Sequence, residues 1–172
     1  MQTRDNLWLM GWLQERCNKG GDFLITTHYQ DKTWSKWKSV LQCWENPEEW
    51  WRLDQATNMS SRKCDIFIDI DPRPDEQKVP KSRVKKIINQ LKRYDLPNPE
   101  IYWTGSRGYH IHVTEPGLAM IDSQYYRENI RRFLMKHLKT DTMLASERHL
   151  IAIPNTPHWK TGKPKKLIHA TP

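Results

Sequence analysis

Three stretches of this chain carry the residue types that phosphate chemistry draws on. The first is Asp69-Ile70-Asp71. Side chains alternate along a strand, so these two carboxylates point one way, about 7 Å apart, while Ile66, Ile68 and Ile70 point the other. Acids at that spacing can share one or two hard divalent cations. Without a metal or a basic partner, burying them would be costly. Read alone, the same residues also describe ordinary strand-end acids facing water beside Pro72.

The second stretch is TGSRGYHIHV at 104–113. Gly105 and Gly108 permit the tight backbone of a phosphate-cradling turn, and Arg107 adds a planar fork of donors. His110 and His112 share one face of the following strand, with Tyr109, Ile111 and Val113 on the other. A plain hairpin with histidines on a solvated face has the same pattern. The third stretch, RHLIAIPNTPHWKTG at 148–162, runs from a strand into a turn where His158 and Lys160 can bind an anion. Its plain reading is a basic surface loop. Taken in order, paired acids, a Gly–Arg–His hairpin and a late His–Lys loop are what metal-assisted nucleotidyl transfer needs. Cations activate the attacking hydroxyl, and fixed donors hold a triphosphate in line.

Elements with clear periodicity must place these residues. Residues 5–17 space Leu7, Trp8, Leu9, Trp12 and Leu13 as a helix, and Phe23 to Thr27 reads as a strand. The stretch 34–44 fits a strand or a helix, and Asn46-Pro47-Glu48-Glu49 is a helix start. Residues 65–70 form a strand closed by Pro72, followed by a charged, proline-rich loop over 72–80. Residues 81–94 carry Val84, Ile87, Ile88 and Leu91 at helical spacing under a basic outer face. Strands at 101–104 and 109–113 flank the glycine turn as a hairpin. A basic helix over 122–138, a strand over 150–153 and a last strand over 165–169 complete the chain. Helices and strands intermix, so the class is α/β or α+β with a central sheet.

With 172 residues the chain has room for one compact domain. Lysine and arginine exceed aspartate and glutamate by 28 to 20, for a formal charge of +8, which favours a polyanionic partner through counterion release. Cys17, Cys43 and Cys64 contain no C-x-x-C pair, which excludes a cysteine zinc ribbon. No apolar run approaches the roughly 20 residues of a membrane helix, and no secretory signal opens the chain, so the expectation is a cytoplasmic protein without a membrane partner.

On these stretches the chain resembles the archaeo-eukaryotic primase superfamily, particularly the small catalytic subunit of archaeal and eukaryotic primases. That family's Asp-hydrophobic-Asp motif is matched by Asp69-Ile70-Asp71, and its Ser-Gly-x-x-Gly-Tyr-His turn by Thr104 to His110. Its third motif runs from an Asp through a hydrophobic strand to Pro-x-x-x-His-x-Lys-Thr-Gly. Asp141, Leu150 to Ile153, Pro154, His158, Lys160, Thr161 and Gly162 match it. The likeness covers residues 65–165 well and the first sixty loosely. The first two motifs are also similar to the polymerase domain of bacterial end-joining ligases. Thr104 replaces the usual Ser, and Ala152 stands where the family commonly has Arg or Lys.

The resemblance implies an α+β fold: a central mixed or antiparallel sheet flanked by helices. Within one domain, 1–172, an RRM-like primase core at 61–172 would follow an N-terminal α/β module at 1–60. It implies catalytic metal ligands Asp69, Asp71 and Asp141 for Mg²⁺ or Mn²⁺, with Glu147 as a rival for the third. Nucleotide contacts would come from Thr104, Ser106, Arg107, His110, His158 and Lys160. The implied partners are a single-stranded DNA template, nucleoside triphosphates and a helicase or other replication subunit. The basic helices at 81–94 and 122–139 would guide the template. Trp34, Trp37, Trp44, Trp50 and Trp51, interleaved with lysines, fit either the core or stacking on bases.

Two further readings remain open. A rolling-circle type nuclease would use His110-Ile111-His112 for its metal and Tyr125 or Tyr126 as nucleophile, but leaves Asp69-Ile70-Asp71 without a role. A non-catalytic single-strand-binding module would bind nucleic acid in a salt-dependent way and incorporate nothing.

Overall fold

The computed structural model describes residues 11–18, 23–27, 35–45, 56–96 and 98–170. The helix start at 46–49 and Trp34, Trp50 and Trp51 lie outside the described residues, as does the side chain of Trp44. Helix α1 includes residues 11–18. It is followed by β1 (Leu24–Thr27), β2 (Lys38–Ser39), α2 (Val40–Glu45) and β3 (Thr57–Ser60). Then come β4 (Asp65–Ile70), α3 (Lys81–Arg93), β5 (Glu100–Trp103), β6 (Tyr109–Thr114), α4 (Pro116–Ala119) and α5 (Gln124–Leu138). A 3₁₀ turn at Met143–Ala145, β7 (Leu150–Ala152) and β8 (Lys166–Ala170) complete it. The ambiguous stretch 34–44 resolves into both alternatives, a short strand running into a short helix. No helix among the described residues is long and apolar enough to cross a membrane.

The class is α+β, and among the described residues every strand pairing is antiparallel. The strands divide into two four-stranded sheets, in the orders β2-β1-β3-β7 and β4-β6-β5-β8. The second sheet is sided as strand alternation requires. Ile66, Ile68 and Ile70 of β4, Ile101 of β5, and Ile111 and Val113 of β6 pack on Val84, Ile87 and Leu91 of α3 and Leu134 and Leu138 of α5. These helix positions recur at three- and four-residue intervals, so each helix buries one stripe. Phe67 points to the opposite face and joins a second core with Leu13 of α1, Ile25 of β1, Met59 of β3 and Ile151 of β7. Asp65 and Asp69 share the Phe67 face by alternation.

Buried ion pairs tie the layers together. Asp65, 1 % exposed, accepts from Arg62 and from Arg16 of α1. Arg131 of α5, fully buried, donates to the carbonyls of Asp65, Arg62 and Lys63 and to the Glu147 carboxylate. Arg127 also clamps Glu147, through Nε and Nη2. These two arginines of α5 are therefore internal struts and not part of a template-guiding surface. Only charges on the far side of the helix remain for that.

Candidate active site

Strand β4 delivers Asp69 one residue before its end, and Asp71 follows just past the last paired residue, ahead of Pro72. Across the ladder Asp69 is the register partner of His110 on β6. The third acid comes from the segment after α5, which ends on Lys139 in a left-handed conformation (φ 57°). Asp69, Asp71 and Asp141 line one cavity of about 410 Å³ whose wall continues through Arg73, Arg83, Lys86 and the 137–141 segment. The motif acids thus come together around one space.

They do not form a closed cage. Among the described residues no three His, Cys, Asp or Glu side chains stand as a ready metal cluster. Asp141 is exposed, and its Oδ1 accepts the Met143 N–H at 2.9 Å. Glu147, the rival for the third place, has both its oxygens held by Arg127 and Arg131, with its carboxyl below the ordinary range. Burial opposes that lowering, but the arginine hydrogen bonds overcome it.

Asp69 has the opposite electrostatics. Its carboxyl is pushed up to about 7, first by burial and then by Asp71 and Asp141, with Lys165 pulling the other way. Its Oδ1 is buried and has no hydrogen-bond partner among the described residues. His110 Nε2 approaches to 3.5 Å, too far for a hydrogen bond. His110 itself titrates well below its usual range because it is buried and near Lys165 and His158, so at neutral pH it adds no charge. A buried carboxylate oxygen lacking a donor, with two more acids on the same cavity, is the donor set a hard divalent cation takes. The residues present fit one.

The glycine turn and the late loop are built against this site and against each other. Thr104 N–H donates to the Gly108 carbonyl, and the Thr104 hydroxyl donates to the same oxygen and accepts from Ser106 N–H. Thr104 Oγ1 is therefore engaged in closing the turn. Gly105 sits at φ +84°, and a Cβ there would collide with the Lys163 carbonyl. Gly108 lies so close to β4 that a Cβ would stand 2.8 Å from the Ile70 carbonyl and 3.3 Å from Asp71 Oδ1. Both glycines are required by close approach, and one also by its backbone angle. The loops are tied where Thr161 Oγ1 donates to the Gly105 carbonyl at 2.8 Å. In the late loop His158 Nδ1 accepts the N–H groups of Lys160 and Thr161 at 3.3 and 3.4 Å, which leaves Nε2 to carry the ring proton. Arg107 and Lys160 are exposed at the two loop tips, with Lys160 Nζ over the Trp159 ring.

Lys165 is the site residue that sequence reasoning missed. It is fully buried. Nζ donates to the Ala152 carbonyl at 2.6 Å and lies 2.8 Å from His112 Nε2. An amine thus arrives beside Ala152, the position where the resemblance expects a cationic side chain. Burial first, and then Arg16, hold Lys165 well below its ordinary range, while Asp69 and Glu100 pull it up. His112 is wedged between Phe67 and Tyr102, ring centroids 4.6 Å from each, with Nε2 on Lys165. It is a core histidine, which weakens the nuclease reading that pairs it with His110.

No family model and no curated protein sequence matches the chain. Solved structures do. The crystal structure of primase RepB' superposes with a TM-score of 0.62 at 14 % identity, covering 95 % of this chain and 56 % of that one. The AEP domain of the cyanophage S-2L primase-polymerase gives 0.54 at 13 % identity, covering 98 % and 91 %. The polymerase domain of Mycobacterium tuberculosis Ligase D in complex with DNA gives 0.59 at 10 %, covering 94 % and 78 %. This chain spans little more than half the RepB' chain. The chain shares its fold with these three proteins.

Proposed function

We propose that this chain, folded as a primase–polymerase domain, is a nucleotidyltransferase that primes or extends strands on single-stranded DNA with Mg²⁺ or Mn²⁺. The observation that carries the reading is Asp69: a half-buried carboxylate whose buried Oδ1 has no hydrogen-bond partner among the described residues, lining a cavity shared with Asp71 and Asp141. Those three residues would hold the cations. When bound, the metal supplies the positive charge that activates a 3′-hydroxyl and offsets charge developing on the α-phosphate.

The remaining steps belong to the chain's own groups. Arg107 offers a bidentate fork to phosphate oxygens, and Lys160 a point charge from the opposite loop. His158, oriented by the backbone donors on Nδ1, presents Nε2–H, and neutral His110 adds one N–H without adding charge. Ser106 lies in the same turn, while Thr104 sets its shape. The Thr161–Gly105 bond locks the two loops so that these donors keep fixed spacing before substrate arrives. Template DNA and nucleoside triphosphates are the substrates, in keeping with the basic surplus.

The test is incorporation of labelled nucleotides on single-stranded template with Mn²⁺, with and without primer, by wild type and by Asp69→Ala/Asp71→Ala. Metal-dependent product in wild type alone supports the proposal. No product in wild type, or equal product in the double variant, refutes it.

A further inference from the structure

We infer that the outward face of α5 is a track for a single strand of nucleic acid that ends at the acid cavity. Tyr126, Ile130, Phe133 and His137 recur at intervals of four, three and four residues, so they share one side of the helix. That side is not core. Tyr126 and Phe133 are each 63 % exposed and Ile130 is 43 % exposed, while α5 buries Arg127, Arg131, Leu134, Met135 and Leu138 on its other side. A helix with one buried stripe ordinarily carries polar residues opposite it. Here it carries rings.

A second stripe runs beside the first. Arg132 and Lys136 stand four residues apart, with Arg132 steadied by Asn129 Oδ1 at 3.0 Å, and Lys139 follows at the left-handed residue that closes the helix. A mostly aromatic stripe, three rings and Ile130, flanked by a basic stripe is the composition that grips a single strand: bases stack on the rings and the backbone follows the charge. A protein partner would select against lysine beside the centre of its footprint. The direction of the track is also given. Phe133 and His137 pair at 4.1 Å between centroids, and residues 137–141, ending in Asp141, line the cavity that holds Asp69 and Asp71. From Tyr126 to His137 the helix rises about 16 Å, room for roughly five bases at the ~3.4 Å spacing of a stacked strand. This inference rests on the polymerase reading only in saying why the strand must reach the acids.

The experiment is anisotropy of fluorescein-labelled oligothymidylate in EDTA, without nucleotides, across a salt series. It compares wild type, Tyr126→Leu/Phe133→Leu, Arg132→Gln/Lys136→Gln and, as a control on β8, Lys166→Gln. The leucine pair should bind about tenfold or more weakly with its salt slope unchanged. The glutamine pair should lose about 1.4 from the slope, two phosphate contacts on a single strand. The control should match wild type. Unchanged binding in the leucine pair overturns the inference. So does a leucine pair that binds normally but loses a self-associated state in sedimentation, because the face would then belong to a second copy. The assay contains no catalysis, so binding loss in the leucine pair upholds the track even if the incorporation assay fails.

Discussion

Asp69 and His110 face each other across the β4–β6 ladder, yet Oδ1 stops 3.5 Å from Nε2 and the two make no hydrogen bond. Neither supplies the other with a charge partner. Burial keeps His110 neutral, and the same burial, with Asp71 and Asp141, raises Asp69 to about 7. The pair is an acceptor and a donor held ready at one spot, with their mutual contact unmade.

That arrangement fixes a pH dependence. Asp69 titrates near 4 when unfolded and near 7 when folded, so between these values the native state binds more protons. Its contribution to stability is fully present below about pH 4 and is lost as pH rises through 7. Melting of metal-free protein should fall across this window, and Asp69→Asn should flatten the fall. Mn²⁺, competing with the proton, should raise the melting temperature at pH 8 and scarcely at pH 5. Thermal scans in EDTA and in Mn²⁺ read both effects; a Mn²⁺ shift that is the same at both pH values contradicts the assignment.

Asp141 and Glu147 should separate by opposite signatures. Asp141→Asn should weaken Mn²⁺ binding in calorimetry with little change in urea stability. Glu147→Ala leaves buried Arg127 and Arg131 without their shared carboxylate, at a cost of about 3–5 kcal/mol, and should leave metal affinity per folded molecule unchanged. If Glu147→Ala weakened metal binding and spared stability, the roles would be reversed.

What was legible in the sequence followed from local pattern. The Asp-Ile-Asp strand, the basic helix over 81–94 and the glycine hairpin each announce themselves within a dozen residues. Strand β3, Thr57-Asn58-Met59-Ser60, does not: it is polar and short, and becomes a strand only because β1 and β7 flank it, the latter some ninety residues on. Lys165 opened the last expected strand with no role assigned, because nothing nearby in sequence reveals His112 and Ala152 as its partners. The arginine clamp on Glu147 was equally hidden, being made across 16 and 20 residues between a helix and a turn.

Gly108→Ala should lower nucleotide incorporation far more than stability. Its methyl would press on the Ile70 carbonyl and Asp71, and relief must come from shifting the end of β4, which carries Asp71 with it. Gly105→Ala should do both, since positive φ adds about 1–2 kcal/mol of backbone strain to a clash that separates the two loops. Comparing melting temperatures with steady-state incorporation for the two variants checks the contrast.

Lys165→Met should cost about 1–3 kcal/mol, because it leaves a buried carbonyl at Ala152 and His112 Nε2 unpaired. It also removes one of the two influences that pull Asp69 downward, the other being a backbone hydrogen bond at Ile70. Mn²⁺-induced stabilisation should therefore need higher pH in the variant than in wild type. An unshifted pH profile would confine Lys165 to a structural role.

Strand β7 sits in the first sheet on β3, while the strands before and after it in the chain, β6 and β8, belong to the second. A gene shortened to begin at Asp65 would keep all three motifs and still strip β7 of its neighbour. The stretch from Pro154 to Lys165, anchored by that strand, would lose its mooring. A fragment that keeps that anchor must therefore reach back at least to β3, though that strand contributes none of the proposed chemistry.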